Sequence, residues 1–376
     1  MSGWLAARAD SNRKSRKSGQ LIDLPEAYFR GLNFLLNEQP DKAIEVFIKV
    51  LEVNSETAET HLALGNLFRR RGEVERAIRI HQNLIARPSL DREQRSLALL
   101  ELGQDYLKAG LLDRAENLFS ELVESRMYNE QALRWLLSIY QQEKEWENAI
   151  STCRRLVRIT RTSMDEVIAH YYCELAEIKM KAGDHKAVRL FLRKAIAVDN
   201  NCIRASILLG DLEAEEKRDP EAIKTWKRVE QQDPQFLGEV AVRIGDAYRR
   251  LGDEAGLYQY IDGALERQKD NGLMLELVNI IRDRDGLDAA EKYVVGWLRR
   301  NPSVQGLERL IELNMLQSEG AARDDLMLLK GIIENLGERH HGYLCQHCGF
   351  RGTTLHWLCP GCSQWNTVKP VSEQNS

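Results

Sequence analysis

The residues best equipped for chemistry lie near the C-terminus: Cys345, Cys348, Cys359 and Cys362, spaced C-x2-C, ten residues, C-x2-C. Each pair forms a tight turn that points two thiolates the same way, and backbone N–H groups in such a turn donate to the sulfurs. Gly349, Pro360 and Gly361 are residue types that these turns use. Four thiolates set tetrahedrally hold one metal ion, and the sulfurs leave zinc and iron both open. His347 and His356 are spare beside four cysteines and belong at the surface or behind the ligands. Tyr343, Phe350, Trp357 and Trp365 supply nearly all the apolar bulk of the tail. So small a module cannot stabilise itself by such a core, and the ion must contribute folding energy.

The remaining cysteines, Cys153, Cys173 and Cys202, stand singly in helical stretches, where a thiol behaves as a small buried hydrophobe. Seven cysteines without a secretory signal argue against a disulfide framework and for a reducing compartment. No second constellation suggests catalysis. His61, His81, His170 and His185 are scattered, and there is no GxxxxGK[ST], HExxH or GxSxG motif. The expectation is therefore a protein that is not an enzyme. His170, beside Tyr171, Tyr172 and Cys173, reads as helix packing. Lys and Arg number 53 against 57 Asp and Glu, a net charge of −4 that gives nucleic acid no general attraction. Arg351 is the only charged side chain in 345–368, which further disfavours a nucleic-acid-binding ribbon.

The elements that must carry this tail are helices. Residues 21–339 show apolar positions at i, i+3, i+4 and i+7 with short polar breaks, and the breaks recur about every 34 residues. The segments 62–85 and 100–123 fit the tetratricopeptide pattern: a small residue in the first helix, Gly at the turn, Ala in the second helix. The second-helix position falls at Ala43, Ala77, Ala115, Ala149, Val188, Ala222, Leu257 and Ala290. The first-helix position shows Gly31, Gly65, Gly103, Gly210 and Gly245, and turn glycines stand at Gly72, Gly110, Gly183 and Gly252. Polar insertions at 87–95 and 159–166 read as extended loops, and a ninth, degenerate pair at 304–336 reads as a cap.

The fold class expected is all-α: a tetratricopeptide-repeat superhelix of about nine helix pairs, because one pair cannot bury its apolar face alone, closed by a small metal knuckle. The domains expected are a basic tail at 1–20, the repeats at 21–339, the metal module at 340–369 and a tail at 370–376. First helices would line a groove suited to protein segments, with Asn66, Arg69, Arg70, Gln104, Lys108, Arg134, Gln141, Glu177, Asp211, Arg249 and Arg250 as candidate partner contacts. No run of eighteen apolar residues occurs. Trp4 followed by Arg8, Arg13, Lys14, Arg16 and Lys17 reads, taken alone, as a solvated basic tail, although the same pattern occurs just cytoplasmic of membrane helices.

The repeats together with C-x2-C-G-F and W-x-C-P-x-C-x-x-W at the C-terminus resemble the lipopolysaccharide assembly protein B family. Residues 64–82, 169–176 and the knuckle carry the likeness. The resemblance implies a Gram-negative inner-membrane adaptor on the cytoplasmic side that restrains lipopolysaccharide synthesis by helping the membrane protease FtsH degrade the deacetylase LpxC. It implies a rubredoxin-like module packed against the repeats, with Cys345, Cys348, Cys359 and Cys362 as ligands. Members of that family begin with a hydrophobic anchoring helix, which this chain lacks; Gly3, Trp4 and the basic run resemble the stretch after it, so a juxtamembrane segment becomes the better reading of 1–17 and the chain as given would be soluble. The alternative is a rubredoxin-type electron-transfer protein carried on a repeat scaffold.

Overall fold

The computed structural model describes residues 58–371 apart from 269 and 338–341, together with a few isolated positions between 30 and 46. The basic N-terminal run, most of the first expected helix pair and Ala43 lie outside the described residues. The chain divides into two units, 1–139 and 140–376.

In the first unit, α1 (Ala58–Arg70), α2 (Val74–Ile85), α3 (Arg92–Lys108) and α4 (Leu112–Glu124) form two helix pairs, and α5 (Asn129–Glu143) runs through the division. The second unit continues with α6 (Trp146–Thr160), α7 (Asp165–Lys181), α8 (His185–Val198), α9 (Ile203–Glu215), α10 (Asp219–Trp226) and the short α11 (Arg228–Gln232). A 3-10 turn at Pro234–Phe236 leads into α12 (Leu237–Leu251), α13 (Glu254–Arg267), α14 (Asn271–Asp285), α15 (Leu287–Leu298), α16 (Val304–Gln317) and α17 (Ala321–Gly337). The architecture is a tetratricopeptide-repeat array with a C-terminal four-cysteine module.

The repeat marks do the work their residue types require. Ala77, Ala115, Ala149, Val188, Ala222 and Ala290 are fully buried at helix crossings. A Cβ added to Gly65 would lie 2.2 Å from His81 Nε2, and one on Gly210 would lie 2.3 Å from Trp226 Nε1. At these crossings the small residue on the first helix seats a large ring from the second. Two turns that lack glycine use lysine instead: Lys144 (φ +60°) and Lys217 (φ +59°) take the left-handed conformation that Gly72 and Gly252 take elsewhere.

The two insertions are shorter loops than the sequence suggests. α3 already starts at Arg92, because the Asp91 side chain accepts the Gln94 N–H at 2.7 Å and the Gln94 side chain reaches back to Asp91. Between α6 and α7 only residues 161–164 are non-helical. Helix extension consumed the rest.

The described part of the tail forms three short strands: β1 (Tyr343–Cys345), β2 (Arg351–Gly352) and β3 (Val368–Pro370). They pair antiparallel in the order β2-β1-β3, with Cys345 opposite Val368. The core of the second unit runs from Ile203 to Leu313 and includes Trp226, Phe236 and Trp297; Leu355 and Trp357 of the tail pack against it.

Candidate metal centre

The two C-x2-C segments fold as two copies of one turn. Gly349 N–H donates to Cys345 O at 3.0 Å, and Ser363 N–H donates to Cys359 O at 2.9 Å. Cys345 N–H donates to Phe350 O at 2.7 Å, and Cys359 N–H donates to Gln364 O at 2.9 Å. The residue after each second cysteine is left-handed, Gly349 at φ +76° and Ser363 at φ +54°. Gly361 is needed for a different reason: a Cβ there would sit 3.2 Å from Cys348 Sγ.

These turns bring all four Sγ atoms within 4.8 Å of one another. Cys345 and Cys362 sulfurs are 3.8 Å apart, and Cys348 and Cys359 sulfurs 3.6 Å. Sulfurs placed about 2.3 Å from a common ion at tetrahedral corners are about 3.8 Å from each other, so the cradle fits zinc or iron. Among the described residues this is the one such cluster of metal-ligating side chains.

The sulfurs are also prepared electrostatically. Burial acts to raise the Cys345 thiol, but the Thr367 hydroxyl (3.3 Å) and the amides of Cys348 and His347 outweigh it and hold it down to about 5. At Cys348 the Phe350 amide lowers the thiol, yet burial and the neighbouring sulfurs push it up to about 12. Four crowded sulfurs cannot all be thiolates without a cation among them, which a divalent or trivalent ion supplies. Thr367 carries no ligand spacing, and the sequence offers no signal for its role. His347 is exposed, and His356 meets Thr354 Oγ1 at 3.1 Å and the edge of Phe350, so neither stands among the ligands.

The aromatic bulk of the tail is divided differently from the sequence expectation. The module's own core is Cys345, Cys359 and Val368, with Tyr343, Phe350 and Leu355 partly buried around it. Trp357 and Trp365 instead face the repeat helices. Trp365 stacks on His170 of α7 (5.1 Å between centroids) and meets Tyr171 and Trp146 edge-on at 5.8 and 6.3 Å. Trp357 stacks on Phe236 at 5.6 Å and lies 5.8 Å from His170. His170 is therefore a docking residue held between two tryptophans of the module, not ordinary helix packing. Burial first, then Arg204 and Lys369, pull its pKa down to about 3.

A polar rim surrounds this aromatic centre. Lys369 Nζ lies 3.0 Å from Asp233 and 5.0 Å from the Phe236 ring, Asn366 donates to Glu166, and the Tyr343 hydroxyl donates to Glu239. Arg204 places its guanidinium 6.0 Å from the Trp365 ring while pairing with Glu174 at 2.8 Å and Glu177 at 2.6 Å. The retrospective signal is composition: two tryptophans in a module too small to bury them need an outside surface.

The groove candidates separate into two groups. Glu177 pairs with Arg204, Asp211 with Arg243, Arg249 with Glu276, and Arg250 with Asp219. Arg134 pairs along its own helix with Glu130, and Gln141 of α5 faces the Tyr171 hydroxyl, which burial above all pushes well up. Arg69 joins Glu101 and Asp105, and the Asp105 carboxylate also meets His81 Nδ1 at 2.5 Å, all within the first unit. Arg70 and Lys108 are exposed and make no ion pair among the described residues. Among the described residues, Gln104 reaches only its own helix, at Leu100 O (3.5 Å), and Asn66 Oδ1 is buried without a partner.

Comparison with known proteins agrees with both halves. The rubredoxin metal binding domain family matches residues 343–370, and tetratricopeptide repeat families match 60–96, 100–163 and 169–202. Lipopolysaccharide assembly protein B of Escherichia coli (strain K12) is 38% identical over 370 residues, covering 98% of this chain and 95% of that protein. The protein of the same name from Haemophilus influenzae is 33% identical, covering 99% of this chain and 96% of its own. On identity of this extent across both the repeats and the knuckle, the chain belongs to the lipopolysaccharide assembly protein B family.

Proposed function

We propose that the chain is a non-enzymatic adaptor at the cytoplasmic face of the inner membrane that regulates lipopolysaccharide synthesis by presenting the deacetylase LpxC to the membrane protease FtsH. One observation carries the reading: the metal module is seated by His170 and Arg204 of the repeat helices and by Phe236 of the 3-10 turn, so that ion, strands and helices make one composite protein surface. An electron carrier has no need of such a dock, whereas a platform that holds two partners at once does. The ion, zinc or iron, then acts by keeping Trp357 and Trp365 in position. Arg70, Lys108, Gln104 and Asn66, whose hydrogen-bonding capacity is not spent on other repeats, are the partner contacts proposed in the first unit. No helix among the described residues is long and apolar enough to cross a membrane.

Replacing the chromosomal gene by the variant Arg70→Glu/Lys108→Glu and following the deacetylase after blocking protein synthesis tests the reading. The expected result is a longer deacetylase lifetime and excess lipopolysaccharide. Unchanged turnover in a complete deletion would refute it. Metal analysis with a visible spectrum before and after dithionite tests the ion's role. A reversible colour change coupled to activity would favour electron transfer instead.

A further inference from the structure

Cys173 of α7 and Cys202, the residue that caps the start of α9, stand 29 residues apart in sequence and 4.0 Å apart between sulfurs. Both are buried, at 0% and 3% exposure. No third metal-ligating atom joins them among the described residues, so this is a dithiol and not an ion site. The two thiols are also unlike each other. Cys202 is held below the ordinary cysteine range, first by Cys173 and then, against burial, by the Ala205 amide and Arg204. Burial pushes Cys173 well up. Two sulfurs in contact, one of them at a helix N-terminus and the more easily deprotonated, are the arrangement in which disulfides form. Cys153, by contrast, is buried and pushed up to about 12 with no thiol beside it.

We propose that Cys173 and Cys202 are a redox modification site that closes into a disulfide tying α7 to α9 beneath the metal module. With a peroxide as oxidant, the Cys202 thiolate attacks one peroxide oxygen, the O–O bond breaks, and hydroxide leaves, giving a sulfenic acid. The Cys173 sulfur then attacks the Cys202 sulfur, its proton leaves with the sulfenic oxygen as water, and the S–S bond forms. Two thiols and one hydrogen peroxide thus give one disulfide and two waters. Access runs through the turn at 199–201, where Asn200 and Asn201 are exposed directly before Cys202. The link has a place to be felt. Arg204, two residues after Cys202, holds both Trp365 and the α7 acids Glu174 and Glu177.

Metal-loaded, full-length protein would be treated with hydrogen peroxide, denatured, alkylated and mapped by mass spectrometry of its peptides. The expected product is a Cys173–Cys202-linked peptide pair, in most molecules, that dithiothreitol releases. Cys202→Ser should abolish that pair, and Cys153→Ser should leave it unchanged. Recovery of Cys173 and Cys202 as alkylated thiols, at a dose that has already oxidised the knuckle cysteines, would overturn the proposal. So would conversion of Cys202 alone to a sulfinic acid, or loss of the linked peptide in Cys153→Ser.

Discussion

The repeat array and the metal module hold themselves together by opposite means. In the array, one device recurs: a glycine on the first helix admits a ring from the second, as Gly65 admits His81, Gly103 admits Phe119 and Gly210 admits Trp226. Each repeat adds its own share of burial, so stability is spread along the chain. The module has one small core, around Cys345, Cys359 and Val368, and commits its two tryptophans to its neighbour. Its fold is concentrated in a single ion and a single dock. The sharpest way to break the comparison is to remove the ion. Chelation should cost the module on the order of 10 kcal/mol and unfold it, and Cys348→Ser, which leaves three of the four thiolates, should unfold it too. Far-UV helix signal should stay near its starting value while the near-UV signal of Trp357 and Trp365 collapses. Equal loss of both signals would mean that the array leans on the module as well.

The dock can be removed with the ion left in place. Trp365→Ala deletes a ring that is 8% exposed and touches Trp146, His170, Tyr171 and Arg204 together. The expected loss is about 3–5 kcal/mol of docking free energy. The variant should still bind one ion per chain, and proteolysis should now cut between the repeats and the module. An undiminished dock would shift the weight to Trp357 on Phe236.

Much of this division was legible in advance, and the reason differs between regions. Helix pairs and their turns announce themselves because close crossings demand Gly or Ala and left-handed turns favour Gly, so steric need writes directly into residue type. The four ligands were legible for the same reason: Cys348 and Cys362 must follow Cys345 and Cys359 by three residues for the turn to close. Contacts between distant segments were not. His170 is one helix residue among aromatic neighbours until Trp365 arrives from 195 residues away, and nothing local marks Thr367 as a partner of Cys345. Likewise Arg69, Asp211 and Arg249 look like free groove charges, because their ion-pair partners sit on neighbouring helices about one repeat period away.

Within the array, two glycines of the second unit separate packing from helix propensity. Gly210→Ala drives a methyl into the Trp226 ring, which is itself held by hydrogen bonds to Ile207 O at 3.3 Å and Asp211 at 3.2 Å. A destabilisation of about 1–3 kcal/mol is expected from overpacking, even after the helix gain of alanine over glycine. Gly296 in α15 has open space where its Cβ would go. Gly296→Ala should therefore stabilise by up to about 1 kcal/mol. Denaturant midpoints measured on both variants check the pair. A Gly210→Ala protein as stable as the parent would show that the Trp226 ring is free to shift and that this crossing is not tight.

Between pH 7.5 and 5.5 the dock itself should show a pH dependence of about 1.4 kcal/mol. His170 has a pKa of about 3 between its two tryptophans, below the ordinary 6.5, because burial and then Arg204 and Lys369 oppose its charge. The undocked chain, with His170 in water, takes up a proton below about pH 6.5 that the docked chain refuses until about pH 3. The sign follows from that difference: His170 leaves docking undiminished above about pH 6.5 and weakens it as pH falls from there toward 3. The slope is at most about 1.4 kcal/mol per pH unit. His170→Gln cannot take up the proton, so its docking should be flatter over the same window, though weaker at neutral pH through loss of the stacked ring. The four cysteines also compete with protons for their ion, but they do so in both proteins. Tryptophan fluorescence of the dock, followed from pH 7.5 to 5.5 in parent and variant, therefore isolates the histidine. Parallel curves would show that docking leaves the His170 proton affinity unchanged, whereas docking that strengthens as pH falls in the parent alone would show that His170 is charged when docked, in a cation–π contact with Trp365.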